Sequence, residues 1–439
     1  NYRRPSLRIT FVVRRVREDS LFGSNPLIVN IGIDARTLQD AQPSGVGEYT
    51  QELLRALFEI DRENEYHLFT NSLEVRPPEV RPRAPNVTIH RFNYPNKLLN
   101  ASMRFFNAPK IDGLLNSVIA RSERSERRGD PVKEKQPIIH GIASLPSVAR
   151  NDSLKMFFMP NMNFVALDKK TPLVLTIHDL SFHITPHFFS QKQQWWHRLI
   201  QPHALAHRAT HLIAQSHHTK NDLMRHFKIP SERITVVYPG IASAFFDEPN
   251  DFVRAAVRRR YDLPEKFILF LSTLEPRKNF TSVIEAFELL KKNPRFNDLH
   301  LVLAGKNHSF NNSRELLNDK IRLIGYVPKK DRPALMSLAR AFVYPSYYEG
   351  FGFPPVEAQA VGTPVIASHT SSLGEVLGDS ALLIDPYNVE DVRTALEAVL
   401  TDEKLADGLR ARGRENAKRF RWDRAARETL EVFNHVLTS

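Results

Sequence analysis

The chain has 439 residues, too many for one small core and enough for two domains. With 42% hydrophobic and 25% charged residues it has the balance of a soluble globular protein, and no apolar run is long enough to cross a bilayer. The absence of cysteine excludes disulfides, thiolate catalysis and thiolate metal sites, and a net charge of +12 points to an anionic partner, a nucleotide or phospholipid surface rather than nucleic acid, for which no binding module is found.

Residues 1–26 read as an N-terminal extension, because LRITFVVRRV mixes arginine into its apolar run and lacks the uninterrupted core of a secretory leader. A first domain is expected over 27–245. LIVNIGIDAR opens it as a buried parallel strand, Gly45 and Gly47 form a flexible loop, and 48–60 is an amphipathic helix. EYHLFTN (65–71) and NVTIHRF (86–92) are further strands. The segment 97–120, apolar with Lys97, Arg104 and Lys110, suits a core helix pair or a membrane surface. The stretch 121–137 is almost wholly charged and polar, a solvated insertion.

MFFMPNMN (156–163) and PLVLTIHDLSF (172–182) are two more strand regions. The second places His178 at a strand end, the ligand edge of a parallel sheet, where its ring can donate a hydrogen bond to a sugar or a leaving oxygen. His203, His207 and His211 recur at helical spacing, but no carboxylate accompanies them and no metal site is expected. Trp195 and Trp196 beside Arg198 suit a surface that touches lipid or acceptor. Ser216 caps a helix, and ITVVYPGI (234–241) is the last strand of this half.

A second domain is expected over 246–420. Strand 267–271 leads into EPRKN, where Arg277 and Lys278 stand before a helix over 280–290, a pair of cations suited to a diphosphate. Strands at 300–306 and 321–324 follow. The stretch 344–363, YPSYYEGFGFPPVEAQAVGT, then organises the rest. Gly350 and Gly352 permit a tight loop beside Phe351, and Pro354 and Pro355 suit a first helical turn whose free N–H groups attract phosphate. Glu349 and Glu357 frame that loop, and carboxylates there make sense if they accept from hydroxyls of a sugar or ribose. Residues 421–439 form a final amphipathic helix. Strand–helix alternation in both halves predicts two parallel sheets facing across a cleft, an α/β protein of two Rossmann-like domains.

E-GFGFPPV-E followed by AxxxGTPVIAS resembles the nucleotide-sugar signature of retaining glycosyltransferases with the GT-B fold, and more narrowly of family 4, which includes many mannosyltransferases. IGIDAR…SGVGEYTQELLRAL is similar to the start of such enzymes, and the resemblance covers about 27–437. It implies a C-terminal helix that crosses back to the first domain. It assigns Glu349 to the transferred sugar, Glu357 to the ribose, Arg277 and Lys278 to the diphosphate, and Gly325, Tyr326 and Val327 to the base. It places His178 near the reacting centre and Gly45 and Gly47 over the donor phosphates. The expected activity is retaining transfer of a hexose, mannose favoured, from a nucleotide diphosphate sugar, GDP-mannose favoured, to a glycan or lipid-linked acceptor. No cofactor is expected, and no metal, since the chain holds no Asp-x-Asp. The expected setting is cytoplasmic, with peripheral contact to an anionic membrane. The alternatives are an epimerase or hydrolase on the same scaffold and a non-enzymatic nucleotide-sugar binder.

Overall fold

The computed structural model describes residues 28–39, 45–72, 84–128, 153–306 and 318–439. The first half contains seven strands: β1 (Asn30–Asp34), β2 (Glu65–Asn71), β3 (Val87–Phe92), β4 (Met156–Met159), β5 (Leu173–Ile177), β6 (His211–Ala214) and β7 (Ile234–Val236). Its helices are α1 (Gly45–Ile60), α2 (Asn96–Phe106), α3 (Ile111–Arg128), α4 (Ser181–Ile184), α5 (Gln191–Ile200), α6 (Pro202–Arg208) and α7 (His217–Phe227). The second half carries α8 (Asp251–Arg260), β8 (Phe267–Leu271), α9 (Phe280–Leu290), β9 (His300–Ala304), β10 (Ile321–Gly325), α10 (Arg332–Ser337) and β11 (Ala341–Tyr344). It continues through α11 (Phe353–Ala360), β12 (Val365–Ser368), α12 (Ser372–Leu377), β13 (Leu382–Ile384), α13 (Val389–Thr401), α14 (Glu403–Ala417) and α15 (Trp422–Thr438).

Both sheets are wholly parallel, in the orders β3-β2-β1-β4-β5-β6-β7 and β10-β9-β8-β11-β12-β13. Each order reverses direction once, between β1 and β4 and between β8 and β11. At such a point the loops leaving adjacent strands splay apart and open a crevice at the carboxyl edge.

Strands buried on both faces read as near-continuous apolar runs, which is why β8 reads FILFL and is buried throughout. In β4, Met156 and Phe158 pack on one face of the first sheet while Phe157 and Met159 pack on the other. The first face is shared with α1 and with the last helix. Trp422, Ala426, Phe433 and Val436 of α15 join Tyr49, Leu53 and Leu57 of α1 in one buried cluster, so the C-terminal helix does cross back onto the first domain.

Several sequence readings need correction. Gly45 and Gly47 open α1 instead of forming a loop. The roughly 1 kcal/mol that glycine costs in a helix is small beside the burial of Tyr49, Leu53, Leu54, Leu57 and Phe58 on the same helix. His203 and His207 lie on α6, but His211 lies on β6, where it meets Thr235 Oγ1 at 2.8 Å and faces His435 of α15. The three histidines therefore do not share a helix face. β7 ends at Val236, and the polar stretch after it contains α8, capped by Asn250. The backbone of α3 stays helical to Arg128 within the charged stretch 121–137, whose remainder lies outside the described residues, as does the extension 1–26.

Candidate active site

The β8/β11 switch point builds one side of a cleft of about 420 Å³ between the domains. The turn after β8 supplies Arg277 and Lys278, and the loop after β11 supplies Glu349 to Gly352. Lys278 Nζ meets Glu349 Oε1 at 2.6 Å, and Arg277 Nη1 lies 3.6 Å from Glu349 Oε2. Tyr344 and Ser346 donate to the same Glu349 Oε1 at 3.0 and 2.7 Å. Burial pushes the Glu349 carboxyl up, but the Lys278 and Arg277 charges overcome it and hold it at about 2. Burial disfavours the Lys278 ammonium and Arg277 repels it, yet Glu349 leaves it above its ordinary value. Arg277 donates to the Tyr348 carbonyl and to Glu275, while its Nε is buried without a hydrogen-bond partner.

Glu357, also buried, behaves in the opposite way. Burial pushes its carboxyl up to about 7, and Arg332 only partly counters that push while Glu48 adds to it. Its Oε2 has no hydrogen-bond partner. A buried carboxylate with an unused lone-pair face is an acceptor awaiting a hydroxyl.

The glycines of this loop have two separate reasons to be glycine. Gly352 adopts φ +95° immediately before α11, a conformation other residues resist. Gly350 touches the first domain: a Cβ there would sit 1.9 Å from the His178 carbonyl oxygen. α11 begins without a side-chain cap, and since Pro354 and Pro355 carry no N–H, the backbone donors at its start are those of Gly352 and Phe353.

The other half of the cleft comes from the first domain. Gly45, Glu48, Tyr49 and Glu52 on α1 line it, with His178 and Asp179 at the end of β5 and Gln215 at the end of β6. The His178 ring does not face the cleft with a free donor. Nε2 lies 2.9 Å from the Pro160 carbonyl and Nδ1 lies 2.5 Å from Gln215 Nε2. A ring so bound has no N–H left for a sugar hydroxyl or leaving oxygen, which corrects the donor role read from its strand-end position.

The structure gathers His178, Arg277, Lys278, Glu349, Gly350, Phe351, Gly352, Glu357, Tyr326, Val327 and Gly45 around this one cleft. Gly47 is buried within α1 and Gly325, at φ +72°, turns the chain behind Tyr326; neither is among the lining residues. Sequence reading missed Tyr344, Gln215, Glu48, Glu52, Lys329 and Arg332. The last four form ion pairs across the cleft, Arg332 to Glu48 at 2.9 Å and Lys329 to Glu52 at 2.6 Å. The one hint was that PKKDR directly follows the turn at Gly325–Val327. Among the described residues no three His, Asp or Glu side chains gather as a metal site would need.

Two family models match this architecture half by half: "Glycosyltransferase Family 4" over 156–245 and "Glycosyl transferases group 1" over 254–420. The chain is 30% identical to O-antigen chain mannosyltransferase B of Escherichia coli over 280 residues, 62% of this chain and 72% of that protein. The chain belongs to glycosyltransferase family 4. This glycosyltransferase is also 26% identical to D-inositol 3-phosphate glycosyltransferase of Pseudarthrobacter chlorophenolicus, over 89% of this chain and 90% of that one. Its fold matches sucrose-phosphate synthase from Thermosynechococcus elongatus with a TM-score of 0.65 at 19% identity, covering 93% and 99% of the two chains. That likeness is one of architecture, and it places the glycosyltransferase in the GT-B fold.

Proposed function

We propose that this glycosyltransferase transfers mannose from GDP-mannose to a hydroxyl of a glycan or lipid-linked acceptor, with retention of configuration. The observation that carries the reading is the buried cluster of Glu349, Lys278 and Arg277 at the β8/β11 switch point, opposite His178. The mannosyltransferase relative favours mannose. Retention rests on the family pattern alone.

In the reaction the bond from C1 to the diphosphate oxygen breaks as the acceptor oxygen bonds to C1. The electron pair stays on the diphosphate, and the acceptor proton follows it there. Arg277, Lys278 and the backbone N–H groups of Gly352 and Phe353 at the start of α11 offset that growing negative charge. Glu349, kept ionised by its cations, accepts from sugar hydroxyls, and Glu357 accepts from the ribose diol. Tyr326 and Val327 border the place for the base. These groups hold the donor so that orientation carries much of the rate. The relative named for D-inositol 3-phosphate favours a second acceptor, a phosphorylated polyol.

A thermal-shift screen of nucleotide sugars, followed by transfer assays with and without chelator, tests the donor. GDP-mannose should raise the melting temperature most, and turnover should persist in chelator. A shift only with a UDP-sugar overturns the donor, loss of turnover in chelator overturns the metal-free part, and free mannose or an epimer without acceptor would favour the hydrolase or epimerase reading.

Contact with an anionic bilayer is part of the proposal. Leu98, Phe105 and Phe106 on α2 and Trp195, Trp196 and Leu199 on α5 are exposed, with Arg104 lying over Phe105 and Arg198 over Trp195. α2 follows β3, and α5 lies in the connection from β5 to β6. No helix among the described residues is long and apolar enough to cross a membrane. Flotation with vesicles containing anionic lipid should recover the native chain and lose the Phe105→Ser/Phe106→Ser variant; equal recovery of both rejects this surface.

A further inference from the structure

Gln215 is 2% exposed, yet it lines the cleft from the end of β6 and points its amide at His178. The two hydrogen bonds of the His178 ring determine its protonation. The Pro160 carbonyl can only accept, so Nε2 carries the hydrogen. Nδ1 of a neutral ring is then an acceptor, and the Gln215 amide N–H donates to it at 2.5 Å. Tyr49 closes the remaining side, its ring edge-on at 4.8 Å between centroids. The backbone of the same residue is held too: Thr219 donates to the His178 carbonyl at 3.4 Å, and that oxygen lies against Gly350 of the second domain.

We propose that Gln215 is a positioning residue of the transfer site: its amide locks His178 as the neutral Nε2–H tautomer, leaves neither ring nitrogen for the donor sugar, and fixes the strand end that meets Gly350. This rests on the reading of the cleft as the site of transfer. Gln215 suits the task because an amide donates without a charge. A carboxylate in its place would take a proton-bearing Nδ1 as its partner and convert the ring to imidazolium, beside a cleft already holding Arg277 and Lys278. The titratable and charged groups around the ring are Tyr49 on α1, Asp179 next in the chain and, across the cleft, Arg277, which Asp179 attracts. Burial lowers the His178 pKa and outweighs the upward pull of the Pro160 carbonyl and Asp179.

The decisive variant is Gln215→Glu, nearly isosteric. Long-range proton–nitrogen NMR of the native chain should show His178 protonated on Nε2 alone through pH 6–8. In Gln215→Glu it should show both nitrogens protonated at pH 7. At saturating donor, kcat of the variant should fall at least about tenfold at pH 7 and recover as pH rises and the ring loses its proton, a limb absent from the native profile. Gln215→Leu, which keeps the volume and removes the donor, guards against misfolding of the charged variant; it should melt near the native temperature, keep the hydrogen on Nε2 against the Pro160 carbonyl with Nδ1 unpaired, and lose kcat at every pH. A native ring protonated on Nδ1 overturns the proposal. So does a native-like kcat profile in Gln215→Glu once NMR shows its ring charged, or native kcat in Gln215→Leu. Donor binding by thermal shift in the native chain judges the transfer-site reading separately.

Discussion

Glu349 and Glu357 stand in one motif with seven residues between them and end in opposite electrostatic surroundings. Glu349 is ionised because two buried cations face it, so Lys278→Ala removes a charge that serves both the acid and the departing diphosphate. It should lower kcat by about 10²–10³, read in steady-state assays at saturating donor. Glu357 has no cation in direct hydrogen-bond contact, and its folded-state pKa of about 7 stands above the ordinary 4.5. The fold favours its neutral form, so this group's contribution to stability is complete below about pH 4.5 and is lost as pH rises through about 7. Glu357→Gln mimics the neutral form. At pH 8 it should be more stable than the native chain by about 3 kcal/mol, at about 1.36 kcal/mol per pH unit, and the gain should vanish near pH 4.5, as denaturant titration will show. The same variant should bind GDP-mannose at least about tenfold more weakly, since a ribose diol needs the carboxylate as acceptor. Native donor affinity should accordingly rise from pH 6 to 8.

At the scale of elements, α15 belongs by sequence to the second half and by packing to the first. Phe433 is fully buried and meets Phe158 of β4 at 5.0 Å between ring centroids. Phe433→Ala should destabilise the protein by about 3–5 kcal/mol, the usual cost of emptying a large aromatic site, seen as a lower denaturant midpoint. The loop after β11 makes the opposite kind of contact, backbone against backbone. Gly350→Ala would drive a methyl into the His178 carbonyl, so the domains must separate there. The expected result is a fall in kcat/KM of at least about tenfold while nucleotide binding to the second domain persists, separable by calorimetry with GDP alone.

Across the whole molecule, the cleft is held shut at both ends. At one end are the pairs Arg332–Glu48 and Lys329–Glu52. At the other, Glu375 of α12 accepts from the backbone N–H groups of His217 and His218 at 2.8 and 2.9 Å, capping α7 of the first domain. Tyr238 also donates to Glu375, and Tyr348 donates to Asp222, each at 2.5 Å. Glu375→Ala should shift the molecule toward an open form. Small-angle scattering should show a larger radius of gyration, and kcat/KM should fall about tenfold, the effect of roughly 1.4 kcal/mol. An unchanged radius would mean that the remaining contacts suffice.

The elements were legible where a short apolar run met glycine, proline or polar residues. β8 and α9 lie where pattern alone places them, because a strand buried on both faces is mostly apolar and a surface helix is apolar on one side; β2 lies where it was read too, its buried His67, Thr70 and Asn71 being hydrogen-bonded. The family, and with it the two-domain GT-B architecture, was legible from the stretch around Glu349 and Glu357. Pattern failed where local preference and packing disagree, as at Gly45 and Gly47 in α1 and at His211 on β6. It was silent on every partnership across the cleft. Glu48 and Arg332 are 284 residues apart, and Gln215 is 37 from His178. Residue type and spacing determined which groups the chain carries and which strands they follow. Only the tertiary structure decided which carboxylate keeps its proton and which histidine nitrogen is already taken, because both depend on burial and on charges and donors brought in by distant segments.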